Sequence, residues 1–118
     1  MSKSSKASST YLRFLNLVQA VRALPSFPSM DPVEEKLLNL FAVAWHSGKP
    51  LTVVEAMGMA QDISPATVHR RISTLREKGL ITFDIDVKDN RVKYIVGTAA
   101  TQAYFTDLGK CLDQAQSK

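Results

Sequence analysis

Chemistry needs nucleophiles, bases or metal ligands brought together, and this chain has few to offer. Its histidines are His46 and His69, its one cysteine is Cys111, and its densest acidic run is Asp84, Asp86 and Asp89. No Ser/His/Asp set and no phosphate-binding glycine loop can be assembled from these positions. The three aspartates do not follow the spacing of a calcium loop. They lie in a stretch where Ile81, Phe83, Ile85 and Val87 alternate with Leu80, Thr82, Asp84 and Asp86, and in a strand that alternation turns Asp84 and Asp86 to solvent. A lone cysteine can close no intrachain disulfide and build no cysteine metal cluster. Cys111 falls on an apolar helical line with Tyr104, Leu108, Leu112 and Ala115, which predicts a buried core thiol. His46, just before Gly48, suits the negative end of a helix dipole. The pattern argues against an enzyme, and no cofactor or metal is expected.

A different constellation stands between Ser64 and Lys93. Val68, Ile72 and Leu75 fall at i, i+4 and i+7, one apolar stripe of a helix that must pack against others. The opposite face carries Ala66, Arg70, Ser73 and Glu77, flanked by Thr67, His69 and Thr74. Small residues permit close approach, hydroxyls suit phosphates or bases, and Arg70 is placed for a bidentate contact with guanine in a major groove. Arg71, Arg76 and Lys78 fall at the flanks, where phosphates would run. A hairpin bearing Lys88, Arg91 and Lys93 follows. The formal net charge of +4 over 118 residues agrees with a polyanionic partner. The residues expected to contact DNA are Ser64, Ala66, Thr67, His69, Arg70, Arg71, Ser73, Thr74, Lys88, Arg91 and Lys93.

The elements that position these residues are legible from caps and breakers. The small polar residues 1–9 predict a disordered tail. Ser9 or Thr10 then caps a helix to about Leu24, with Tyr11, Phe14, Leu15, Val18 and Val21 at helical spacing and Leu12, Leu17 and Leu24 on another side. Proline-rich residues 25–29 break it. Asp31-Pro32 opens a second helix, with Glu34 and Glu35 at its positive end and Leu37, Leu38, Leu40, Phe41, Ala44 and Trp45 in its core face. Gly48 and Pro50 end it, and Leu51 suits a very short strand. Thr52 and Glu55 match a capping box that starts a short helix to about Ala60. Ser64-Pro65 starts another, which runs to about Lys78 and stops at Gly79. Residues 80–86 and 92–96 form a hairpin around Lys88-Asp89-Asn90-Arg91, and Gly97-Thr98 opens a last helix to about Gln116.

The fold class expected is mainly α with a small β-hairpin: a winged helix-turn-helix over residues 31–96, flanked by dimerisation helices in 10–30 and 97–118. A first helix apolar over most of its circumference calls for a second subunit, so a homodimer is expected through Tyr11, Phe14, Leu15, Val18, Tyr104, Leu108 and Leu112. The longest apolar stretch, Leu37 to Trp45, is broken by Asn39 and is too short to span a bilayer. With no apolar signal segment at the N-terminus, the expected location is cytoplasmic and no membrane partner is expected.

Residues 64–72, with Leu75 and Gly79-Leu80-Ile81 after them, look like the recognition-helix signature of winged-helix regulators. Asp89-Asn90-Arg91, followed by Thr98, resembles the wing of the MarR family of transcription regulators. The resemblance implies that Arg91 enters a minor groove, that Asp89 positions it, and that Thr98 begins a C-terminal dimerisation helix. It implies a sequence-specific regulator, read as a repressor, on double-stranded DNA carrying an inverted repeat. It also implies a small aromatic ligand, for which Phe14, Trp45 and Tyr104 are candidate pocket residues. Gly97 stands where the family usually has an apolar residue. Two alternatives remain open: a winged-helix protein–protein interaction module, and a plasmid or phage replication-type DNA-binding factor.

Overall fold

The computed structural model describes residues 5–117. Among them the element order is α1 (Lys6–Arg22), α2 (Pro32–His46), α3 (Val53–Met59), α4 (Pro65–Glu77), β1 (Ile81–Ile85), β2 (Lys93–Gly97) and α5 (Ala99–Gln116). This is a mainly helical winged helix-turn-helix, with a helix before it and a helix after it. The described residues divide into two compact units, one of residues 30–101, the other of residues up to 29 and from 102 onward.

The ends of the helices are set by local chemistry. At the start of α2, Asp31 accepts from the Glu34 N–H at 2.8 Å and the Asp31 N–H donates back to Glu34 at 2.8 Å. Thr52 and Glu55 repeat this reciprocal pair at the start of α3, at 3.1 and 2.9 Å. Ser64 caps α4 by accepting from the Thr67 N–H at 3.2 Å, with Pro65 at the first helical position. Gly79 ends α4 at φ +78°, where a side chain would be strained. The Gly79 N–H donates to the Arg76 carbonyl and the Leu80 N–H to the Leu75 carbonyl, which is a Schellman motif. Gly48 closes α2 in the same way, with bonds from Gly48 to Trp45 and from Lys49 to Ala44.

Inside the 30–101 unit the expected stripe of Val68, Ile72 and Leu75 is buried against Leu37, Leu38 and Phe41 of α2 and Ala56 of α3. Leu80, Ile81 and Ile95 add the hairpin to this core. Each fully buried Leu, Ile or Phe there contributes about 1.5–3 kcal/mol relative to exposure. β1 and β2 pair antiparallel, with Phe83 opposite Ile95 and Asp84 opposite Tyr94. The strand-like piece expected at Leu51 is present: its carbonyl accepts from the Ile95 N–H at 2.8 Å, and Thr52 bridges to Tyr94. The Trp45 indole lies across β2 and donates Nε1–H to the Ile95 carbonyl at 2.8 Å. A Cβ at Gly97 would meet that ring at 3.2 Å, so the bare glycine makes room for the tryptophan. At the start of α5 the Thr98 hydroxyl donates to the Gly79 carbonyl at 2.6 Å, and the Thr101 hydroxyl donates to the carbonyl of Leu80. These two bonds tie the first turn of α5 to the chain that follows α4.

In the other unit, Val18 of α1 and Tyr104, Cys111 and Ala115 of α5 are buried, and Arg13 donates to the Ser117 carbonyl at 3.1 Å. The composition of residues 1–9 predicts a tail, of which 1–4 lie outside the described residues. Residues 6–9 are instead helical, because Ser5 caps α1 through the Ser8 N–H at 2.9 Å. Lys6 and Ala7 favour the helical turn that this cap opens, and no apolar period announces it. At its other end α1 stops at Arg22, short of the Leu24 that the apolar spacing suggests.

Candidate nucleic-acid interface

α4 presents the face that its apolar stripe requires. Ser64, Ala66, His69, Arg70 and Ser73 are exposed, while Thr67 and Thr74 are half-buried. The Ser73 hydroxyl donates to the His69 carbonyl at 3.3 Å and the Thr74 hydroxyl to the Arg70 carbonyl at 3.1 Å. Their donor capacity is therefore spent within the helix, and what they offer outward is acceptor lone pairs. Arg70 lies along the helix, with a long 3.3 Å bond from its guanidinium to the Thr67 hydroxyl. It is free to extend toward a base edge at small cost.

Two cations expected at the flanks of this helix are paired with acids of α2 and its cap. Arg71 is half-buried and pairs with Asp31 at 3.0 Å. Lys78 reaches Glu34, a carboxylate only 2% exposed, at 3.0 Å. The two pairs fasten α4 to the N-terminal turn of α2. The structure thus gives Arg71 an internal partner and a structural place, in addition to the phosphate contact expected of it.

The loop between β1 and β2 is organised by a side chain that sequence reasoning set aside. Asp86, expected as a solvent-facing strand residue, accepts from the backbone N–H groups of Lys88 at 2.8 Å and Asp89 at 3.3 Å. Its other oxygen accepts from the Tyr94 hydroxyl at 3.2 Å, and its own N–H donates to the Val92 carbonyl. That bond and the adjacent negative charge raise the Tyr94 pKa above the usual tyrosine range. Asp89 in turn accepts a fork from Arg91, with Nε at 3.0 Å and a terminal nitrogen at 3.1 Å, and also takes the Arg91 N–H at 3.1 Å. The arginine bonds hold the Asp89 carboxyl below its usual range and push the Arg91 guanidinium up. The Arg91 side chain nevertheless remains 87% exposed. Lys88 and Lys93 are exposed beside it.

α4 and the wing meet around a cavity of about 540 Å3. His69 and Arg76 of α4, Phe83 of β1, Arg91 and Lys93 of the wing, and Thr52 ahead of α3 line it, and no acidic residue does. Phe83 is a member that sequence reasoning missed, whereas Arg76 was expected at the flank of α4, where phosphates would run. Phe83 reads as an ordinary alternating strand residue, and nothing in its spacing marks it. The aromatic residues expected around a ligand, Phe14, Trp45 and Tyr104, are not among the residues that line this cavity. Trp45 is engaged with the Ile95 carbonyl, Tyr104 packs on Phe27 at 5.0 Å, and Phe14 is half-buried beside Tyr11.

Of the residues expected at a dimer interface, Val18 and Tyr104 are buried. Tyr11 and Leu15 of α1 and Leu112 of α5 remain exposed, together with Leu12. Phe14 and Leu108 are half-buried. Among the described residues no helix is long and apolar enough to cross a membrane, and no group of three or more His, Cys, Asp or Glu could hold a metal ion.

No protein-family model and no curated protein matches the chain. Solved structures do. Transcriptional regulator Tm0710 from Thermotoga maritima superposes with TM-score 0.60 at 13% identity, over 89% of this chain and 66% of that one. S. aureus MepR bound to ethidium bromide gives TM-score 0.66 at 17% identity, over 89% of this chain and 70% of that one. S. aureus MepR in complex with DNA gives TM-score 0.63 at 16% identity, over 94% and 82%. The chain spans about two thirds of the length of the Tm0710 chain. The fold is therefore the winged-helix fold of the MarR-type transcription regulators.

Proposed function

We propose that the chain is a transcription regulator that binds double-stranded DNA sequence-specifically as a homodimer. α4 enters the major groove, Arg70 reads a base edge, and Arg91 reaches from the wing into the adjacent minor groove. A narrow A·T-rich minor groove suits such an arginine through its enhanced negative potential. Bound at an inverted repeat beside a promoter, the dimer excludes the transcription machinery and so represses. The observation that carries this reading is the acid-free cavity between α4 and the wing, bordered by His69, Arg76, Arg91 and Lys93. Cations converging on one groove, beside a polar helix face with small residues, match a duplex better than a protein partner. The likeness in fold to MepR, solved with DNA, supports the same reading.

Fluorescence anisotropy with duplexes from the region upstream of the protein's own gene tests it. Binding that survives an excess of unrelated duplex is the expected result. Arg70→Ala should then cost about 1–3 kcal/mol at the cognate site and relax the preference there. Failure of the chain to bind any duplex at low salt would refute the proposal and favour a protein-binding winged helix.

A further inference from the structure

The cavity wall contains an arrangement that simple charge counting does not explain. Two cations from different elements converge on one aromatic ring. The guanidinium carbon of Arg76, from the last turn of α4, stands 4.6 Å from the centroid of Phe83. The Lys93 ammonium, from the first residue of β2, stands 5.8 Å from the same centroid. Both distances are within the range, about 6 Å, at which a ring quadrupole attracts a cation. Phe83 is half-buried on β1 opposite Ile95, a strand position fixed by the hairpin register. Arg76 and Lys93 also line the same cavity, so an anion held there would be attracted by both.

We propose that Phe83 is a positioning residue for nucleic-acid binding: its ring holds Arg76 and Lys93 at the cavity between α4 and the wing so that together they grip one backbone phosphate. The inference rests on the reading of the chain as a DNA-binding protein and deepens it. The chemistry recognised is a phosphodiester anion, independent of base sequence. Arg91 on the same wall adds positive potential, and His69 and the Thr52 hydroxyl add polar groups beside it. Aligning Arg76 in advance removes side-chain entropy that an arginine on an open surface would lose on binding. The phosphate so held sits between the helix that reads bases and the wing. It therefore fixes the register of both.

The experiment is the salt dependence of binding of the full chain to a labelled duplex of arbitrary sequence, since a phosphate contact needs no operator. Wild type should give a linear fall of log affinity with log salt. Arg76→Ala and Lys93→Ala should each flatten that slope, and the double variant should flatten it by about one per subunit. Phe83→Leu keeps an apolar side chain but removes the ring. It should flatten the slope by a similar amount and weaken binding at low salt by roughly three- to tenfold. The conservative change Phe83→Tyr should restore the wild-type slope. Phe83→Leu in the Arg76→Ala, Lys93→Ala background should flatten it no further. A Phe83→Leu protein that is folded by circular dichroism and keeps the full slope overturns the proposal. If Phe83→Leu does not fold, Arg76→Ala and Lys93→Ala decide, and an unchanged slope in both overturns it. A wild-type chain that binds no duplex sinks the DNA-binding reading itself, whereas wild-type binding with unaffected variants sinks only the role of Phe83.

Discussion

The carboxylate of Asp86 accepts from two backbone N–H groups of the wing loop and from the Tyr94 hydroxyl. Its place in sequence reads as a strand residue facing solvent, and that position also lets it gather the loop. The fork between Asp89 and Arg91 was implied by the family resemblance, whereas the Tyr94 bond depends on a strand partner and no local pattern announces it. The Tyr94 pKa is raised in the folded chain, first by its bond to Asp86 and then by the charge of that carboxylate. The stabilisation from this bond is thus fully present below the unfolded value, about 10, and is lost as pH rises through the higher folded value. Asp86→Asn should bring Tyr94 back toward the ordinary tyrosine range, read by ultraviolet titration against wild type. Superimposable titration curves would contradict the assignment. Asp89 behaves in the opposite sense. Its pKa is lowered by the Arg91 fork, so that contribution is present above the unfolded value of about 3.9 and is lost as pH falls through the lower folded value.

At the scale of elements, α4 owes its boundaries to neighbours in sequence and its setting to residues far away. The cap at Ser64, the proline after it and the Schellman close at Gly79 were legible because each involves residues within a turn. The same holds for the boxes at Asp31 and Thr52. The pairs Lys78 with Glu34 and Arg71 with Asp31 span the whole motif and depend on how α2 and α4 cross. Composition shows those charges but not their partners within the fold. Trp45 over Gly97 is a similar case: the missing apolar side chain after the wing is replaced by an indole arriving from α2. Glu34 is buried and serves both the cap of α2 and Lys78, while the Lys78 side chain is 35% exposed and can rehydrate. Glu34→Ala should therefore destabilise the fold by about 1–3 kcal/mol, measured as a lower urea midpoint at unchanged m. A shift within error would show that the network is dispensable.

For the whole molecule, one cluster of uncovered apolar side chains lies on the unit that contains α1. Tyr11 is 58% exposed, Leu12 52%, Leu15 37% and Leu112 50%. Single exposed apolar side chains are ordinary, but three within five residues of α1 leave a helix face without a cover. An isologous twofold contact there would bury them and would set two copies of α4 about 34 Å apart or a multiple of it, the spacing of successive major grooves. Sedimentation equilibrium at micromolar concentration should give the dimer mass. Leu15→Arg should give a folded monomer with weakened affinity for a two-site duplex and unaltered affinity for a half-site. A monomeric wild type would contradict the proposed assembly.

Cys111 is the chain's sole thiol and is only 3% exposed, on the inner side of α5. A thiol reagent reaches it only when the helix opens or the chain unfolds. Its labelling rate then counts those openings. With slow reagent and fast reclosing, the rate follows the equilibrium population of the open form; with fast reagent, it follows the opening rate itself. The protein thus carries its own stopwatch for the unit that would hold two subunits together. Adding DNA or raising the protein concentration should be visible as a slowing of that reaction, with no engineered probe.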